Sequence, residues 1–131
     1  MSKIIGTAVA LVLLGSPAFA QSAKIDTALP AEAVTVTHWY KQNVYDPKDS
    51  KIGEVEDVLV NKSGQITTLM IGVGGFLGAG EKDVAVPFEA VKTTTKDNKP
   101  YLVMNTTKDD LKNAHGFKYD KTKMTWMAEA K

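Results

Sequence analysis

Apolar and polar positions alternate in short runs from residue 43 to the end of the chain, and the runs are separated by turn residues. That pattern predicts an all-β domain. The longest run is Ile52 to Val60. It alternates at first and then slips: Val55 and Leu59 share a face with Asp57, while Val58 and Val60 fall on the other. A β-bulge near Glu56-Asp57 accounts for the slip, and such bulges turn strands around barrel corners. Asn61-Lys62-Ser63-Gly64 then reads as a hairpin turn, with Gly64 suited to positive φ. Gln65 to Val73 returns as a strand with apolar residues on both faces, as expected of a strand covered on both sides.

The glycine-rich stretch Gly72-Val73-Gly74-Gly75-Phe76-Leu77-Gly78-Ala79-Gly80 follows. Asp83 to Phe88 predicts a third strand, with Val84, Val86 and Phe88 alternating and Pro87 near its end, where a lost N–H is tolerable. Glu89 to Lys92 closes it. Thr93 to Pro100 reads as a polar loop and Tyr101 to Asn105 as a fourth strand. Thr107-Lys108-Asp109-Asp110 resembles a capping box and opens one or two helical turns through Ala114, with Gly116 placed to stop them. Phe117 to Tyr119 and Met124 to Trp126 are candidates for a final hairpin over a C-terminal extension, residues 114–131. Upstream, a short strand is expected near 43–46, preceded by Trp39 and Tyr40 as a plug. Residues 21–36 are small, polar and alanine-rich, and read as a flexible lead-in.

The first 20 residues change the picture of where this domain resides. Lys3 supplies a positive start, Ile4 to Leu14 is apolar, and Ala18-Phe19-Ala20 offers a small-x-small cleavage pattern after Pro17. Eleven apolar residues are too few for a membrane-spanning helix, which needs ~20. The expectation is a signal peptide cleaved after Ala20 and a periplasmic mature protein without an integral membrane segment. The chain has no cysteine, so neither a disulfide nor a lipid-modified cysteine is available. Its 16 basic residues are all lysine, against 15 acidic ones. With Lys3 in the leader, the remainder is balanced. That charge gives no reason to expect nucleic acid as a partner.

The glycines invite a cofactor reading, which their spacing does not support. Gly72 to Leu77 lacks the last glycine of a dinucleotide fingerprint. Gly75 to Gly80 begins like a phosphate loop, but Glu81 separates Gly80 from Lys82, and no helix follows. Gly72, Gly74, Gly75, Gly78 and Gly80 therefore read as a structural reversal, with Phe76 and Leu77 at its tip as the candidate partner contact. The acidic residues Asp46, Asp49, Glu54, Glu56 and Asp57 lack the spacing of a calcium loop, and Asp57 reads as a bulge residue accepting backbone hydrogen bonds. His38 and His115 are isolated, and Ser22, Ser50 and Ser63 lie in lead-in or turn contexts. No nucleophile–base–orienter set, cofactor site or metal site is expected.

Val44-Tyr45-Asp46-Pro47, Ile52 to Val60, Gly64-Gln65-Ile66 and the run from Ile71 through the glycines to Val86-Pro87-Phe88 together resemble the PRC-barrel family. The resemblance runs from about Thr37 to Asn113, a domain set at 37–113. It implies a small closed β-barrel of about six strands that serves as a docking or assembly module and has no catalytic residues to carry over. The expectation is a non-enzymatic interaction module with an unknown protein partner, self-association being open. A small-ligand or metal-binding periplasmic barrel is the alternative.

Overall fold

A computed structural model describes residues 22–74 and 81–129. The chain divides into Met1–Ala33 and Val34–Lys131. In the first unit, the described residues 22–33 are exposed and form neither helix nor strand, with one turn in which the Ala33 N–H donates to the Pro30 carbonyl.

Among the described residues, the second unit carries eight strands in one sheet: β1 Asn43–Tyr45, β2 Lys51–Val60, β3 Ile66–Val73, β4 Lys82–Pro87, β5 Val91–Lys96, β6 Lys99–Met104, β7 Phe117–Asp120 and β8 Thr125–Ala128. A short helix, α1 Lys108–Lys112, follows β6. The order across the sheet is β5-β6-β1-β2-β3-β4-β7-β8. β1 runs parallel to β6, and every other neighbouring pair is antiparallel.

The core follows from the alternation. Val55, Ile71 and Val84 stand in one row across β2, β3 and β4, and all three are buried. Leu69 and Val86 form the next row. The bulge expected in β2 lies where the register shifts between Val55 and Asp57. It lets Val58 pair with Leu69 and pack against the core instead of pointing outward. Val44, Ile52, Val73, Val91, Leu102, Met104 and the helix residue Leu111 complete the same cluster. Thr107 caps α1 by accepting the Asp110 N–H on its hydroxyl at 3.0 Å, as its sequence predicts. Trp39 seals the cluster from outside and meets the Phe88 ring edge-on at 5.3 Å, whereas Tyr40 stays exposed.

Met70 is buried but does not belong to that cluster. It points to the opposite face of β3, in a row with Asp57 and Ala85. On β2, the indole N–H of Trp126 donates to Asp57 Oδ2 at 2.8 Å. Four strand spacings separate β8 from β2, about 19 Å in a flat sheet. A single side chain bridges them only because the sheet is strongly rolled. β3 is thus covered on both faces, as its two-sided apolar pattern requires.

Three expectations are corrected. Residues 93–100 are not a loop. Val91–Lys96 and Lys99–Met104 form a hairpin through Asp97 and Asn98, both at positive φ (54° and 63°). Asp and Asn tolerate that conformation, which a two-residue hairpin turn demands. The threonines resemble a loop because β5 is a sheet edge open to water. Phe88 is not in β4: the strand ends at Pro87, and Phe88–Ala90 form a 3-10 turn. Finally, the sheet does not close, although β1 to β6 are the six expected strands and β7 and β8 the expected terminal hairpin. The terminal hairpin takes the free side of β4, leaving β5 and β8 as edges.

Candidate interaction surface

The structure separates the acidic residues that adjoin in sequence. Asp46 accepts the Lys48 and Ser50 N–H groups at 2.9 Å and holds its own turn. Asp57 accepts the Val58 N–H as well as Trp126. Glu54 and Glu56 instead meet Glu81 and Asp83, which lie far from them in sequence. Gly72 is the reason: Glu54, Gly72 and Asp83 share one row across three strands. A Cβ on Gly72 would stand 2.1 Å from Glu81 Oε1 and 2.9 Å from Glu56 Cγ. The missing side chain makes room for two carboxylates. Burial and a hydrogen bond with Glu56 hold the Glu81 carboxyl above its usual range, with the charges of Glu56, Asp83 and Glu54 adding to this. Asp83 is raised by burial and then by Glu56 and Glu129. Lys41 offsets part of this charge, its ammonium standing 2.9 Å from Glu56. Among the described residues, no group of three or more His, Asp or Glu is arranged to hold a metal ion.

A second cluster joins the β1–β2 turn to the β5–β6 hairpin. Tyr45 and Tyr101 stack at 5.0 Å, 17° apart. The Tyr101 hydroxyl donates to Asp49, and Lys96 lies 4.6 Å above the Tyr101 ring and 3.5 Å from Asp49. The bond to Asp49 pushes the phenol up to about 12, and the same bond pulls Asp49 below the ordinary carboxylate value. Each charged group here has a partner, so the cluster pins two turns together.

The third feature is the outer edge of the terminal hairpin. Glu129 N–H donates to the Gly116 carbonyl at 3.0 Å, and Ala128 is paired with Phe117. Backbone groups alternate in an antiparallel ladder. Trp126 and Ala128 therefore turn their N–H and C=O groups away from β7, towards the open edge. Thr125-Trp126-Met127-Ala128 carries no charge, and Met127 and Met124 are 39 % and 77 % exposed. The opposite edge, β5, carries Lys92 and Lys96, a common protection against strand pairing.

Strands β1 to β6, with the bulged β2–β3 hairpin and the alternating β4 that ends in Val86-Pro87, lie within residues 32–111, where the PRC-barrel domain is recognised. The chain belongs to the PRC-barrel family. Comparison with curated proteins returns no match. In this PRC-barrel chain, Gly72 and Gly74 are placed at and just beyond the end of β3. Gly75, Gly78, Gly80 and the expected contact residues Phe76 and Leu77 lie outside the described residues. Among the described residues, neither His38 nor His115 forms an ion pair with a carboxylate: His38 meets Thr35 Oγ1 at 3.2 Å, and His115 meets the Phe117 ring at 5.4 Å. Among the described residues, no helix is long and apolar enough to cross a membrane. The β8 edge is not visible in the sequence because an edge is a property of strand order. Its only local signal is the apolar run Met124 to Ala128, without a charged residue.

Proposed function

We propose that this PRC-barrel chain is exported and works in the periplasm as a non-catalytic module for protein–protein contact or assembly. The leader pattern in residues 1–20 supports export. The open β8 edge carries the interaction reading. It presents unpaired backbone groups, exposed methionines and no charge, the combination used when one chain adds a strand to another. Affinity capture from an envelope fraction tests it, comparing the mature chain with Ala128→Pro. Proline at 128 removes an N–H that faces away from β7, so the hairpin keeps its own hydrogen bonds. The expected outcome is a partner retained by the wild type and lost from the variant at unchanged melting temperature. Equal capture by both chains defeats the reading, as does no capture by either together with no self-association of the purified chain.

A further inference from the structure

We infer that the β8 edge takes a second copy of this chain, β8 against β8 in antiparallel, two-fold fashion. The inference rests on the interaction reading above and names its partner. The outward-facing residue at the centre of β8 is Trp126, so a two-fold axis beside it pairs the outward N–H and C=O of Trp126 with those of the second copy's Trp126. This is an allowed hydrogen-bonded pair in an antiparallel ladder. The same side chains then meet on both copies, as an isologous interface requires. Trp126 is already held from behind by Asp57, so the strand is ordered before any partner arrives.

Charge selects the second copy over an arbitrary strand. The loop before β8 carries Lys121 and Lys123, and Glu129 follows β8 at its other end. Antiparallel pairing brings each lysine-bearing loop to the end of the other copy where Glu129 stands, twice by symmetry. Within one chain Glu129 sits beside like charge, since it helps to hold Asp83 up. A cation from the second copy would relieve this. Pairing β8 with β5 of another copy would instead bring the strand against Lys92 and Lys96 and would not close on itself.

Four residues per strand bury far less than the roughly 1,200–2,000 Å2 of a stable complex. The dimer is therefore weak and populated only at high concentration. Sedimentation velocity of the purified mature chain over a wide concentration series reads it directly. The expected result is a reversible monomer–dimer equilibrium that Ala128→Pro abolishes. Lys123→Glu and Glu129→Lys each weaken it about tenfold, because two like-charge contacts are created per dimer. The double variant Lys123→Glu/Glu129→Lys restores it. A chain that stays monomeric throughout overturns the proposal, as does a dimer indifferent to Ala128→Pro or a double variant no better than the singles. A monomeric wild type that still captures another envelope protein through β8 overturns the second copy alone and leaves the interaction module standing.

Discussion

At the residue scale, Gly53 and Gly72 show what a missing Cβ does in two settings. A Cβ on Gly53 would stand 2.6 Å from Ile71 Cγ2 and 2.9 Å from the Gly72 carbonyl oxygen. Backbone cannot swing aside, so Gly53→Ala is expected to destabilise by about 1–3 kcal/mol in urea melts. At Gly72 the neighbours are carboxylates, and their effect depends on pH. The folded chain raises Glu81 above its ordinary value of 4.5, so between the unfolded and folded values it holds more protons than the unfolded chain. Stability from this group is present below 4.5 and is lost as pH rises through the raised value. Glu81→Gln is expected to raise the melting temperature at neutral pH and to flatten that limb in melts from pH 4 to 8. Tyr101 and Asp49 act at the extremes. The phenol favours the fold below its ordinary value of 10.0, and this is lost as pH rises towards about 12. The lowered Asp49 favours it above 3.8, and this is lost as pH falls below that value. Tyr101→Phe is expected to flatten both limbs in melts at acid and alkaline pH.

At the element scale, the β2–β3 hairpin is legible in the sequence, bulge included. One extra residue in a strand swaps the faces of everything after it, which is the slip seen at Glu56-Asp57. Asn61 to Gly64 has turn chemistry, with Gly64 at φ 83°. The short capped helix is legible too, through Thr107. The β5–β6 hairpin is not. Thr93-Thr94-Thr95 is polar enough to pass for a loop, although threonine is a good strand former on a wet edge. The Asp97-Asn98 pair is the local signal, since both residues accept a left-handed backbone. The contact between Trp126 and Asp57 is only half readable: Asp57 can be recognised as a bulge residue that accepts hydrogen bonds, but its indole donor comes from 69 positions along the chain. Trp126→Phe keeps a ring and removes that donor. It is expected to cost about 1.5–3 kcal/mol, as for hydrogen bonds to a charged group, and to loosen hydrogen-exchange protection across β7 and β8 first.

At the scale of the whole molecule, family and fold class can be read because they are carried by local runs in fixed order. Strand order, edges and the roll of the sheet cannot, because they depend on which distant strands meet. The terminal hairpin illustrates the difference. Its two strands are visible in the sequence, yet it joins the rest of the sheet through one residue pair, Asp83 with Phe117, and through the Trp126 indole. From that slender attachment it covers the second face of β3 and presents the edge on which both proposals rest. Removing residues 117–131 is therefore expected to expose Met70 and lower the melting temperature while leaving β1 to β6 folded, which circular dichroism and exchange at the β3 amides would report.

The parallel pairing of β1 with β6 also sets a timetable. β2, β3 and β4 are neighbours along the chain and can assemble as soon as each is available. β1 lies between β2 and β6, and Val44 finds Leu102 only once the chain has been made to a point 58 positions further on. Closing so long a loop is slow in comparison with forming a hairpin. A chain that becomes available from its N-terminus, as during synthesis, thus stays incomplete until its last third is made. The docking of the β5–β6 hairpin onto β1 is then expected to be the late step, visible in refolding as β1 and β6 amides protected after those of β2 and β3.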